Sequence, residues 1–231
     1  MSSDRTWFIP AGSAPDRRAD CRITPESAGW TYCGMYVFTL RAGDPVEFTL
    51  DGEEGVLVSL SAQNFTVTVD GTAFDMQGRE GVFAAVSDWM YLPVGSQVAI
   101  AGTSGEVAIV TARASQAFPV HYGSADSVAV EVRGAGRATR QVTNYATPDS
   151  FDGAHKINVC EVITPGGNWS SWPPHRHDGI GGCVTMNEEI YYFRIGREDG
   201  PHGDPTGTGL FRLYTVDGSH DETLSIADQD T

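Results

Sequence analysis

Two histidines and a glutamate carry the most pointed chemistry in this chain of 231 residues. His175 and His177 are spaced i, i+2 within Trp172-Pro173-Pro174-His175-Arg176-His177. On an extended segment, both imidazoles leave the same face. Glu189 follows twelve residues after His177 and opens the run Ile190-Tyr191-Tyr192-Phe193. Two imidazoles joined by a carboxylate from an adjacent strand make a pocket for a divalent metal: zinc, manganese or iron. An H-x-H alone also arises by chance. Here it follows the turn Thr164-Pro165-Gly166-Gly167 and the stiffening pair Pro173-Pro174, and precedes a Gly-rich loop and a Glu-Glu strand start. Strand alternation sends Glu188 to the face opposite Glu189, so Glu189 is the expected ligand.

Ser170 and Ser171 neighbour the histidines, but the chain has no G-x-S-x-G elbow. On a strand His175 also faces away from its flanking turn, so a serine hydrolase is not expected. Trp169 and Trp172 are expected as walls of a barrel mouth, and His121 and His155 as surface residues.

The elements around these residues read as β-structure. Short alternating runs at 36–40, 46–50, 55–61, 65–69, 72–75, 88–92, 97–101 and 105–112 are separated by turn residues. Asp70-Gly71 between two such runs signals a hairpin. A second series is expected at 128–133, 139–144, 157–163, 172–177, 189–194, 210–215 and 223–227. The expected organisation is an N-terminal arm (1–30), a first lobe (31–112), a connector (113–127) and a second lobe with the metal residues (128–231). That is a two-lobed, all-β barrel protein.

Composition supports this class. The chain has 27 glycines and 12 prolines, and no window shows sustained helical periodicity or membrane-spanning length. Its start lacks a basic n-region and an apolar h-region, and Cys21, Cys33, Cys160 and Cys183 form no C-x-x-C pair. A cytoplasmic protein with reduced thiols is expected. The formal net charge is −15, with Lys156 the only lysine. Such a surface repels nucleic acid and anionic membranes. An anionic small molecule would need a local cation or metal to bind.

At the H-x-H the sequence resembles the cupin superfamily, whose first metal motif is a Gly-rich turn, H-x-H, then Glu. More narrowly, residues 162–178, containing Gly-Gly-Asn-Trp-Ser-Ser-Trp-Pro-Pro-His-Arg-His, resemble the 5-deoxy-glucuronate isomerases of myo-inositol catabolism. So do residues 188–194 and 212–219; the 5-keto-4-deoxyuronate isomerases are relatives. The resemblance covers residues 139–231 most clearly. It implies a bicupin that isomerises 5-deoxy-D-glucuronate, a uronic acid, to 5-dehydro-2-deoxy-D-gluconate. It places the metal on His175, His177 and Glu189, and implies a homo-oligomer.

The family's fourth ligand, a histidine in a P-x-G-x-H turn, has no counterpart. Residues 221–231 resemble the lead-in to that turn, so the second lobe is expected to be incomplete at its C-terminal end. In the first lobe, Pro93-Val94-Gly95 is followed by Gln97 and Val98 where a histidine would stand, so that lobe is expected to be metal-free.

The isomerisation moves a proton from C2 to C1, which requires a base. Glu161, Glu188 and Tyr192 are the candidates. Arg140, Arg194 and Arg212 are the candidate cations for the substrate carboxylate. Two further readings of the same residues are a metal-dependent cupin oxygenase and a non-catalytic sugar-acid-binding bicupin.

Overall fold

The computed structural model describes residues 7–16, 18–197 and 200–231. Its strands are β1 (Cys21–Ile23), β2 (Cys33–Thr39), β3 (Val46–Thr49), β4 (Glu53–Ser59), β5 (Gln63–Val69), β6 (Thr72–Gly78), β7 (Trp89–Leu92) and β8 (Gln97–Ala101). The series continues with β9 (Glu106–Arg113), β10 (His121–Gly123), β11 (Ala129–Arg133), β12 (Arg140–Ala146), β13 (Val159–Ile163), β14 (Gly209–Tyr214) and β15 (Asp221–Ile226). The one α-helix among the described residues is α1 (Pro25–Ala28), opened by a Thr24–Ser27 capping box and closed by Gly29. No helix there is long and apolar enough to cross a membrane. The all-β expectation holds.

Every paired strand is antiparallel. A six-stranded sheet, in the order β1-β2-β9-β4-β7-β10, faces a four-stranded sheet, β3-β8-β5-β6. Phe38, Leu57, Met90 and Ile109 from the first sheet pack with Phe65, Val67, Met76, Val98 and Ile100 of the second. Truncating one of these to alanine would cost about 2–5 kcal/mol. The Asp70-Gly71 turn between β5 and β6 forms as the sequence predicts. Both residues take positive φ, +49° and +83°, matching the twist of the flanking strands.

The six-stranded sheet is covered on its outer face as well. Ile23, Met35 and Val37 pack there with Trp30, Ile190 and Tyr192. Val56, Trp89 and Tyr91 pack with Tyr145, Phe151 and Ile157. Burial on both faces explains why β4 and β7 carry continuous apolar runs rather than alternation. The second unit comprises a three-stranded sheet β11-β12-β13, whose Tyr145, Ala146 and Val159 join this covering layer, and a two-stranded sheet β14-β15.

Buried charge ties the two units together. The carboxylate of Glu54, fully buried on β4, accepts the backbone N–H groups of His155, Lys156 and Ile157 and the Tyr91 hydroxyl. The buried Arg79 guanidinium grips Glu161 of β13 with two hydrogen bonds of 3.0 and 2.5 Å. Arg194 joins Glu106 of β9 at 2.9 Å and Asp228 at 3.0 Å. Each carboxylate and guanidinium has a partner, which is the condition for burying such groups without large cost.

The structure departs from the sequence expectation in three places. The 1–30 segment, expected as an arm, contributes β1 to the edge of the six-stranded sheet. The 113–127 segment, expected as a connector, contributes β10, which pairs with β7 at the other edge. Residues 172–177 and 189–194, expected as neighbouring strands, are irregular. Pro173 and Pro174 present no N–H to a ladder. The backbone of Phe193 bonds instead to Gln229 and Asp230, at 2.7 and 2.8 Å.

Candidate metal centre

His177 and Glu189 meet because the chain between them folds back. Gly179 N–H donates to Thr185 O at 3.1 Å and Asn187 N–H to His177 O at 2.9 Å, around a bridge between Asp178 and Met186. Gly179, Gly181 and Gly182 all take positive φ in this reversal, which side-chain-bearing residues resist. His177 Nε2 then lies 3.3 Å from Glu189 Oε1. The His175 and His177 rings lie edge to face with centroids 5.0 Å apart. One ligand atom from each of His175, His177 and Glu189 falls within 4.8 Å of the other two. Two imidazoles and a carboxylate, partly exposed, are a donor set that suits a divalent metal.

Two more side chains hold these ligands. Ser171 Oγ lies 2.5 Å from His175 Nδ1, so the other ring nitrogen, Nε2, is left for a metal. The Tyr191 hydroxyl donates to Glu189 Oε2 at 2.7 Å, which leaves Oε1 facing His177. Partial burial and the adjoining Glu189 carboxylate push the Tyr191 phenol well up, so it stays protonated as a donor. Tyr191 is itself held by stacking on Phe193 and by contact with Phe211 of β14.

Sequence reasoning missed both. A strand through His175 would face it away from the Ser171 turn; the irregular backbone instead brings the two together. Tyr191 had a visible signal, since i, i+2 alternation puts it on the Glu189 face.

The other candidates lie elsewhere. Glu188 turns away from Glu189, as alternation predicts, and accepts the backbone N–H groups of Thr31, Tyr32 and Cys33 at 2.7, 2.7 and 3.1 Å. Glu161 is held by Arg79. Tyr192 packs against the buried cluster of Ile23, Met35 and Val37 on the six-stranded sheet. Burial, with the Glu106 carboxylate nearby, pushes its phenol well up. Arg140 donates to Ala138 O, Arg194 is bound to Glu106 and Asp228, and Arg212 pairs with Asp221 in the β14–β15 hairpin. The later histidines do not join the cluster: His202 lies toward Glu80 and His220 against Trp7.

Residues 7–231 match the KduI/IolB family. The chain belongs to that family. Its relatives include the 5-deoxy-glucuronate isomerase of Geobacillus kaustophilus, 34% identical over 228 residues, a match spanning 96% of this chain and 79% of that protein. The 5-deoxy-glucuronate isomerase of Bacillus subtilis strain 168 is 31% identical, over 90% of this chain and 74% of its own length. Among solved structures, an IolB-like protein from Salmonella typhimurium LT2 superposes with a TM-score of 0.78 at 27% identity, covering 96% of this chain and 82% of that one. Membership in the KduI/IolB family supports an isomerase built on this fold.

Proposed function

We propose that this KduI/IolB-family chain isomerises 5-deoxy-D-glucuronate to 5-dehydro-2-deoxy-D-gluconate with a divalent metal on His175, His177 and Glu189. The reading is carried by the convergence of those three side chains within a chain whose curated relatives are named for that isomerase. In the open-chain aldose, loss of the C2 proton gives an enediol, and protonation at C1 gives the ketose. Atoms and electrons balance without a co-reactant. When bound, the metal supplies Lewis acidity toward the C1 and C2 oxygens. Ser171 orients the His175 ring, and Tyr191 fixes the Glu189 carboxylate. The proton transfer is not given to Glu161, Glu188 or Tyr192, which are committed to Arg79, to backbone amides and to the apolar layer.

The test is turnover of 5-deoxy-D-glucuronate by protein loaded separately with zinc, manganese or iron, followed by NMR. His175→Ala and His177→Ala should each lose about 100-fold or more in rate, the scale of losing oxyanion stabilisation. Full turnover in either variant overturns the metal assignment.

A further inference from the structure

A carboxylate substrate approaching a chain of net charge −15 needs a local cation; Arg194 and Arg212 are ion-paired, and Arg140 donates through Nη1 to the Ala138 carbonyl. Arg133 pairs with Glu131, and Arg176 with Asp178. Arg137 differs from these. It is exposed on the 3-10 turn Gly136–Ala138 between β11 and β12, and its guanidinium has no partner among the described residues.

Arg137 stands beside two exposed indoles. Ala135, Arg137, Ala138, Trp169 and Trp172 line an open pocket of about 290 Å³. Trp169 and Trp172 are 57% and 59% exposed, with ring centroids 5.7 Å apart. The shelf is built rather than incidental. Trp169 N–H donates to Arg137 O at 2.7 Å, and the Asn168 side chain donates to Thr139 O at 2.8 Å. These bonds dock the Asn168-Trp169 loop on the Arg137 turn. Along the chain the shelf leads directly to the candidate metal centre: Ser171, the residue before Trp172, contacts His175.

We propose that Arg137, Trp169 and Trp172 form the subsite for the carboxylate end of an open-chain sugar acid whose carbonyl end lies at His175, His177 and Glu189. This rests on the isomerase reading and adds to it the source of substrate selectivity. The guanidinium fork matches a carboxylate bidentately, and the indole faces shed water against the C–H groups of the sugar chain. Arg137 takes the role expected of Arg140, Arg194 and Arg212.

The experiment compares binding of D-glucuronate and its neutral isostere D-glucuronamide by calorimetry and tryptophan fluorescence, on metal-loaded protein, alongside turnover of 5-deoxy-D-glucuronate. Wild type should prefer the acid by about 10- to 100-fold, the scale of a charge-assisted hydrogen-bond pair. Arg137→Gln should abolish the preference while keeping amide affinity, and Arg137→Lys should restore part of it. Trp172→Ala should weaken both ligands alike. An Arg137→Gln preference within twofold of wild type overturns the subsite and leaves the isomerase reading standing if turnover persists. Preference through Arg137 without turnover supports the subsite and overturns the isomerase. A wild-type protein that binds neither ligand and turns nothing over overturns both.

Discussion

Glu188 and Glu189 are consecutive in sequence and serve opposite sides of one chain. Glu188 reaches back 155 residues to the Cys33 N–H, while Glu189 faces His177 Nε2 at 3.3 Å. Glu189→Gln should therefore reduce metal retention with little change in unfolding free energy. Glu188→Gln should keep the metal and lose about 1–2 kcal/mol, because charged acceptors at three backbone N–H groups are weakened at a partly exposed site. Metal analysis after dialysis and urea denaturation read the two effects separately. Equal metal loss in both variants would remove the distinction.

Ser171 is expected to act through His175. Ser171→Ala should weaken metal binding by about 10-fold with the fold intact, the usual size of losing a hydrogen bond behind a metal-bound imidazole. Tyr191→Phe should do the same through Glu189. Competition with a chromogenic chelator measures both, with Ser170→Ala as the control expected to be silent. Wild-type affinity in Ser171→Ala would mean that the 2.5 Å contact has no bearing on the centre.

Arg79 holds the second unit against the first. Its side chain is fully buried, and it binds Glu161, Ser59 O and Ala85 O. Arg79→Met should destabilise the protein by about 3–5 kcal/mol, because Glu161 and two carbonyls lose their donor together. Chemical denaturation checks the size. Glu161→Gln should cost less, since Glu161 is one-fifth exposed. Retained turnover in folded Glu161→Gln would confirm that this carboxylate is structural.

The four cysteines are free thiols and should separate by reactivity. Burial pushes the Cys33 thiol up to about 11, with Glu188 and Glu189 adding to the rise. Backbone hydrogen bonding, at Gly179 first and then Thr185, pulls the Cys183 thiol below its usual value. A lowered pKa means more thiolate at a given pH, so at pH 8 Cys183 should be alkylated first and Cys33 last. Peptide mapping after timed iodoacetamide treatment reads the order. Cys33 labelling ahead of Cys183 would contradict it.

Features governed by contacts close in sequence were legible from it. Asp70-Gly71 specifies its hairpin because two residues of positive φ decide a local turn. The alternation of β5 reports a sheet with one face against the core, and it survives in the structure as buried Phe65, Val67 and Val69. The H-x-H and the following Glu were legible because residue type and spacing alone restrict what can chelate, and the three do converge.

What the sequence by itself determined, then, is the all-β class, the family and the three candidate ligands. The tertiary structure decided which polar groups are left over for chemistry. Glu161 meets Arg79 across 82 residues, Arg194 meets Glu106 across 88, and Glu188 meets the 31–33 amides from more than 150 away. No local pattern encodes such pairings, because they form only when distant strands pack and buried charges must find partners. Among the described residues Arg137 has no side-chain partner by the same logic: the fold pairs Arg133 with Glu131 and leaves Arg137 beside two indoles.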